Sequence, residues 1–447
     1  SQGLPAVPVP VFKVPRTFSE NYQLNPFTAF GLPDPDLRTP YVQQWSLGIQ
    51  REIRGAVLEA RYVGNHSTKM FRAYNLNPVE LRTNGFLEDF LRARSNGNLA
   101  RQAVGFFDPN YNPQIPGSQP LAVFPNLVLG GLLNHPIVRS LIDTGEAGQL
   151  GFVYHVNGLS GPVAFYRNPV SVASNVVTNY SNVTYNALQI DVQRRARRGF
   201  AFQANYTWAR VLSDSNGVAQ HRFEDIRDPR NGRIDRARPR FDITHAFKVN
   251  GVYDVPIGRG RRLDRPALNP ILGGWALSGI LTWQSGSPFS IMSRRGTLNS
   301  SYFSTENTAS STATKQELDD LLKFRMTANG PYIVAASAIG SDGRGIATDG
   351  QAPFNGQVFS HPGPGEIGTL QQRWFSGPPT FNLDFALFKQ FSIREAHKLE
   401  FRMEALNTLN HPTWLVSDQD IGSVLFGRVT GSLYGPRKIQ LSLHYRF

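Results

Sequence analysis

The closing stretch "KIQLSLHYRF" (438–447) alternates without a break, with Ile439, Leu441, Leu443, Tyr445 and Phe447 on one face and Lys438, Gln440, Ser442, His444 and Arg446 on the other. A repeat of two is the signature of a β-strand with one apolar face. Chain ends are usually polar and frayed. This one closes on aromatic side chains, so an environment that accepts an apolar terminal strand is expected.

The same pattern recurs upstream. In "HKLEFRMEALN" (397–407) Leu399, Phe401, Met403 and Ala405 oppose Lys398, Glu400, Arg402 and Glu404. In "TFNLDFALFKQF" (380–391) Phe381, Leu383, Phe385 and Leu387 oppose Asn382, Asp384 and Gln390, with Phe388 as an exception. "FAFQANYTWAR" (200–210) sets Phe200, Phe202, Ala204, Tyr206 and Trp208 against Ala201, Gln203, Asn205 and Thr207. Segments 43–52, 56–64, 185–195, 247–255 and 275–284, the last opening on Trp275, behave alike. That makes about nine segments, each near the 9–11 residues that a tilted strand needs to cross a bilayer. Rings near segment ends suit a membrane interface.

Composition agrees with a turn-rich β chain. Hydrophobic residues make up 40% and charged residues only 18%, while Gly (41) and Pro (31) are abundant, which points to many turns and long irregular connections. The net charge of +13 suits nucleic acid or phosphate-bearing lipid headgroups. The absence of cysteine excludes disulfide scaffolds, thiol catalysis and cysteine metal sites. No apolar run approaches the length of a transmembrane helix, a limit that does not apply to a β-barrel.

The connections alternate. "EIRG" (52–55), "RARRG" (195–199), "PIGRGRRLDRPALNPILGG" (256–274) and "SIREAHK" (392–398) are short or modest, whereas those at about 65–180, 212–240, 286–380 and 411–436 are long. Turns on one side and long loops on the other is the layout of outer-membrane barrels. Residues 1–40, Pro-rich at "SQGLPAVPVPVFKVP", read as an extracellular loop segment, and 41–447 as barrel. Within the loops, "NGFLEDFLRARSN" (84–96) and "TKQELDDLLKF" (314–324) read as short helices over the barrel mouth, the second opening on a capping box from Thr314 to Glu317. With Phe447 at the periplasmic side, about nine strands put Tyr41 on the outer side. Bacterial barrels carry an even number of strands with both ends in the periplasm, so further strands are expected before residue 1.

Seven segments in order, "TPYVQQWSLGIQREI", "ALQIDVQRRARRGFAFQANYTWARVLSD", "RFDITHAFKVNGVYDVPIGRGRR", "GGWALSGILTWQSGSPFSI", "FNLDFALFKQFSI", "LEFRMEALNTLNHPTW" and "LSLHYRF", resemble the C-terminal barrel region of TonB-dependent outer-membrane receptors in the Oar-like branch. The resemblance covers most of 41–447, with 286–380 its least typical part. It implies an all-β antiparallel transmembrane barrel of 22 strands in the bacterial outer membrane, a plug domain within it, and energy from the TonB complex. The plug, the TonB box and the first half of the barrel are not within these 447 residues. The implied partners are therefore the remainder of the barrel and plug, the TonB complex, lipid and lipopolysaccharide, and an unidentified ligand; nucleic acid is not among them. The terminal aromatic strand resembles a barrel-assembly signal carried by Leu441, Leu443, Tyr445 and Phe447. Leu399, Phe401, Met403, Trp208 and Trp275 are expected to face lipid, and Lys398, Glu400, Arg402, Glu404 and Gln440 the lumen.

Chemical motifs are weak. "GPGEIG" (363–368) has dinucleotide glycine spacing but holds Pro364 and follows no buried strand, so a plain loop is favoured. "RRARRG" reads as a solvated turn near lipid phosphates rather than a nucleic-acid contact. "HRFEDIRDPRNGRIDRARPRFDITH" (221–245) gathers His221, Glu224, Asp225, Asp228, Asp235, Asp242 and His245. Seven interleaved arginines favour a salt-bridged loop over a metal or hydrolytic site. "SDGRGIATDG" (341–350) and "SDSNG" (213–217) are weak Ca²⁺ candidates with a turn as the plainer reading; no other cofactor is indicated. No nucleophile elbow, zincin or Walker sequence is present, and nothing argues for an enzyme. Two rival readings are a self-contained porin-like channel and a secreted β-rich surface or adhesion protein.

Overall fold

The computed structural model describes residues 17, 20, 29–197, 199–215, 226–228, 230–300, 307–393, 397–416 and 418–447. Nine long strands carry the fold: β1 (Tyr41–Ile53), β2 (Ala56–Asn75), β3 (Ala173–Arg197), β4 (Phe200–Ser213), β5 (His245–Asp254), β6 (Trp275–Gln284), β7 (Thr380–Ser392), β8 (Lys398–Leu406) and β9 (Lys438–Arg446). They form one ladder in the order β9-β8-β7-β6-β5-β4-β3-β2-β1. A tenth, short strand, Ala29–Pro33, runs parallel to residues 173–177 of β3. It lies inside the segment expected to be wholly loop. The ladder is open, because β1 and β9 each have a strand neighbour on one side only among the described residues.

Local sequence explains the turns. Arg54 (φ 53°) and Gly55 (φ 80°) close the β1–β2 hairpin between the paired Ile53 and Ala56, as a two-residue turn with two positive φ angles requires. Farther along the same hairpin, Gly64 lies opposite Trp45. A Cβ at Gly64 would stand 2.1 Å from the Trp45 ring, so only glycine admits the indole there.

Two boundaries differ from expectation. β2 has 20 residues and β3 has 25, so the loop placed at about 65–180 begins and ends roughly ten residues inside that range. Hydrogen bonding continues the ladder beyond the length a bilayer requires, which a hydropathy pattern does not report.

The chain forms two compact units. The first comprises Ser1–Pro35, Ala73–Val177 and Gly296–Phe303. Its helices are α1 (Phe86–Val104), α2 (Pro136–Thr144) and α3 (Ala147–Val156). Instead of a short helix at 84–96, α1 runs for 19 residues. Phe86, Phe90, Phe124, Tyr154 and Phe165 are buried together, with Phe86 and Phe165 edge to face at 4.7 Å. The Asp89 carboxylate is fully buried. It accepts the amides of Ala122 (2.8 Å), Val123 (2.7 Å) and Phe124 (3.0 Å) and pairs with Arg92 at 3.2 Å.

The second unit comprises Asp36–Arg72, Thr178–Arg295 and Ser304–Phe447. Here the connections after β6 and β8 share a core of their own, including Phe289, Ile291, Val334, Phe359, Phe375, Ile421 and Phe426. Backbone bonds join them: Met292 donates to Gln419 (2.8 Å), Ile421 to Met292 (3.0 Å) and Ile333 to Gly427 (2.8 Å). Helix α4 (Lys315–Leu321) opens on the expected capping box of Thr314 and Glu317.

Candidate functional site

Strand register sorts the side chains into two faces. Across β8 and β9, Leu399 faces Tyr445, Phe401 faces Leu443 and Met403 faces Leu441, while Lys398 faces Arg446, Glu400 faces His444, Arg402 faces Ser442 and Glu404 faces Gln440. Cross-strand partners share a face. Continuing the register through β7, β6, β5 and β4 puts Trp275 and Trp208 with Leu399, Phe401 and Met403. Lys398, Glu400, Arg402, Glu404 and Gln440 lie together on the opposite face. The apolar face is open: Leu441 is 65% exposed, Leu443 64% and Phe447 90%.

At Lys389 a cation interrupts the apolar face. Lys389 pairs with Trp275 on one side and Phe401 on the other, yet is 2% exposed. Its Nζ donates to the carbonyls of Ile271 and Gly273 and sits 4.9 Å from the Trp275 ring and 4.7 Å from that of Phe391. The carbonyls lie at the C-terminal end of the helical turn Asn269–Leu272, where unpaired acceptors and the helix dipole favour a cation. Sequence reasoning left Lys389 unplaced, although its even spacing from Phe385 and Leu387 in β7 signals the apolar face. Tyr445 completes this end of the sheet, its hydroxyl 2.6 Å from His397 Nδ1.

The polar face carries paired charges. Arg402 pairs with Glu404, and Arg446 with Glu400 at 3.3 Å. Phe388, the exception to alternation in β7, lies on this face and packs its ring 4.8 Å from the Arg402 guanidinium. On β2–β4 a concavity of about 420 Å³ is lined by Glu59, Arg61, Gln189, Asp191, Gln203 and Asn205. Asp191 accepts from Asn205 and from Gln203 at 3.1 Å, and Arg61 Nη2 reaches Glu59 at 2.5 Å. Such a surface of alternating donors and acceptors suits water or a polar ligand.

The arginine-rich connection before β5 is salt-bridged. Asp242 is fully buried and accepts from Arg238 Nε (2.6 Å) and the Val211 amide (2.8 Å). Asp235 accepts from Arg227 at 3.2 Å and lies 3.6 Å from Arg72. Burial pushes its carboxyl up from the ordinary range, against the pull of both arginines. His221, Glu224 and Asp225 lie outside the described residues. In the two Ca²⁺ candidate stretches, Asp342 pairs with Arg344 (2.6 Å) and Asp349 with Arg295 (2.5 Å), Asp214 accepts the Asn182 amide at 3.0 Å, and residues 216 and 217 lie outside the described residues. Among the described residues no group of three His, Asp or Glu side chains is placed to hold a metal ion. The glycines of 363–368 lie in an irregular turn that follows the two-residue strand Phe359–Ser360 and opens no helix. A second concavity, about 360 Å³, is lined by Arg240, Arg294, Arg373, Ser290 and Gln419, a cationic setting of which the 221–245 stretch contributes Arg240 alone.

His361 is held at 2.8 Å from Ser293 Oγ. Burial lowers its pKa from 6.5 to about 3, assisted by Arg295 and opposed by Asp349. A lowered folded-state value means that the unfolded chain takes up the proton first. Its contribution to the 286–380 core is therefore complete above pH 6.5 and is lost as the pH falls toward 3. Amide protection factors in that core, corrected for the intrinsic pH dependence of exchange, should fall over this window, and a His361→Gln variant should show a smaller fall.

The chain belongs to the outer membrane beta barrel domain family, whose model matches residues 1–440. The protein is accordingly a bacterial outer-membrane protein. No curated protein matches the sequence significantly. Among solved structures it is similar to the outer membrane transporter YddB of Escherichia coli, with 8% identity and a TM-score of 0.38, covering 94% of this chain and 34% of that one. The ferripyoverdine receptor of Pseudomonas aeruginosa gives 10% identity, a TM-score of 0.34, and coverage of 92% and 28%. The ferric preacinetobactin receptor BauA of Acinetobacter baumannii gives 9%, 0.34, and 91% and 29%. The chain thus spans about a third of the length of these structures.

Proposed function

We propose that these 447 residues are the C-terminal barrel portion of a TonB-dependent outer-membrane receptor of the Oar-like branch, taking up or binding a ligand still to be identified, and that they perform no catalysis. The apolar face carrying Leu399, Phe401, Met403, Trp208 and Trp275 meets lipid, and the face carrying Lys398, Glu400, Arg402, Glu404 and Gln440 lines the lumen. The observation that carries the reading is the open ladder of strands with segregated faces. In hydrocarbon, each backbone group without a partner costs several kcal/mol, so the free edges of β1 and β9 require partner strands. The seven family-like segments favour the rest of a receptor barrel as those partners, with a plug inside it and the TonB complex beneath.

Cross-linking mass spectrometry on the detergent-purified full-length protein tests this. Residues along the outer edges of β1 and β9 should link to strands outside the 447 residues. Links from β1 directly to β9 would replace the receptor by a self-contained channel. A particle that stays monodisperse without detergent would overturn both.

A further inference from the structure

The connection between β5 and β6, residues 255–274, is longer than its neighbours at the same end of the ladder and is folded. Leu263 donates to Pro256 (3.1 Å), Gly258 to Leu263 (3.0 Å) and Leu272 to Leu268 (2.8 Å). Asp264 accepts from the Gly260 amide (2.8 Å) and from Asn269 Nδ2 (2.6 Å). Trp275 Nε1 donates to Ile271 at 3.0 Å, and Lys389 grips Ile271 and Gly273. The helical turn is therefore fastened to the apolar face of the sheet through two residues of that face.

What the segment shows to solvent is of two kinds. Leu268 (47% exposed), Ile271 (67%) and Leu272 (43%) stand at i, i+3 and i+4 and share one side of the turn. Arg259, Arg261, Arg262 and Arg265 are exposed, against Asp264 and the neighbouring Asp254, whose contact with Arg261 is loose at 3.9 Å. A fastened apolar ridge beside a surplus of cations has the chemistry of an interfacial anchor, and it continues an apolar face in a family of outer-membrane barrels.

We infer that residues 256–274 form a membrane-surface anchor at the turn end of the barrel, with Leu268, Ile271 and Leu272 embedded at the headgroup boundary and the four arginines holding anionic phospholipid headgroups. The partner is lipid rather than a protein or a free anion, because the ridge is continuous with the apolar face through Trp275 and Lys389. The inference rests on the proposal that this face meets lipid, and the experiment separates the two.

The 447 residues contain no cysteine, so an introduced one is unique within them. Leu268→Cys and, separately, Leu441→Cys in the full-length protein are labelled with an environment-sensitive fluorophore and reconstituted into phosphatidylcholine vesicles with or without phosphatidylglycerol, each carrying brominated lipid. The label at 441 should be quenched in both. The label at 268 should be quenched more strongly in the anionic vesicles, and the variant R259E/R261E/R262E/R265E should lower its membrane-inserted to water-exposed ratio there by at least about fivefold, the effect of one cationic side chain at an anionic surface. An unquenched label at 268 beside a quenched one at 441 overturns the anchor alone, as does quenching at 268 indifferent to headgroup charge and to the arginines. An unquenched label at 441 overturns the face assignment itself.

Discussion

Phe401→Arg and Leu441→Arg should each abolish the heat-modifiable, folded form of the protein in outer membranes, whereas Gln440→Arg should leave it at the parental level. Phe401 and Leu441 lie on the apolar face, in the middle of their strands. An arginine on the lipid side near the midplane costs about 2–4 kcal/mol, a large share of the stability of an ordinary domain. Gln440 projects from the same strand to the other face, opposite Glu404, where an added cation gains an acceptor. Quantifying the folded band for the three variants checks the assignment, and equal bands for all three would overturn it.

Asp89→Ala should open the first unit. Three backbone amides, those of Ala122, Val123 and Phe124, converge on this buried carboxylate. Removing the acceptor strands their donors and uncouples Arg92, and breaking a buried charge interaction of this kind costs about 3–5 kcal/mol. Amide exchange over 73–177 should rise toward the unfolded rate, and protease should cut near 122–124. Asp89→Asn keeps one acceptor oxygen and should fall between. Strand protection in β5–β9 should be unchanged in both variants, which separates a local opening from failed assembly.

The strands were legible from residue pattern alone because a strand with one apolar face writes its geometry into every second position. Segment 275–284 coincides with β6, and 380–391 and 397–407 end within a residue of β7 and β8. The capping box at Thr314 and Glu317 was equally readable, since its four residues satisfy one another locally. Pattern failed where no alternation was required: β2 and β3 run on through polar stretches such as "NHSTK", which the ladder continues without an alternating apolar face.

By itself the sequence determined the fold class, the segregation of faces and the order of turns and loops, because these follow from the local period of two and the placement of Gly, Pro and charge. Only the tertiary structure decided the rest. It put Lys389 under a helical turn 118 residues away in sequence, Asp89 under amides 33–35 residues on, and the connections after β6 and β8 into one core. Buried polar groups must find partners wherever the folded chain brings them. Those partners are set by long-range packing, which no local pattern of residues encodes.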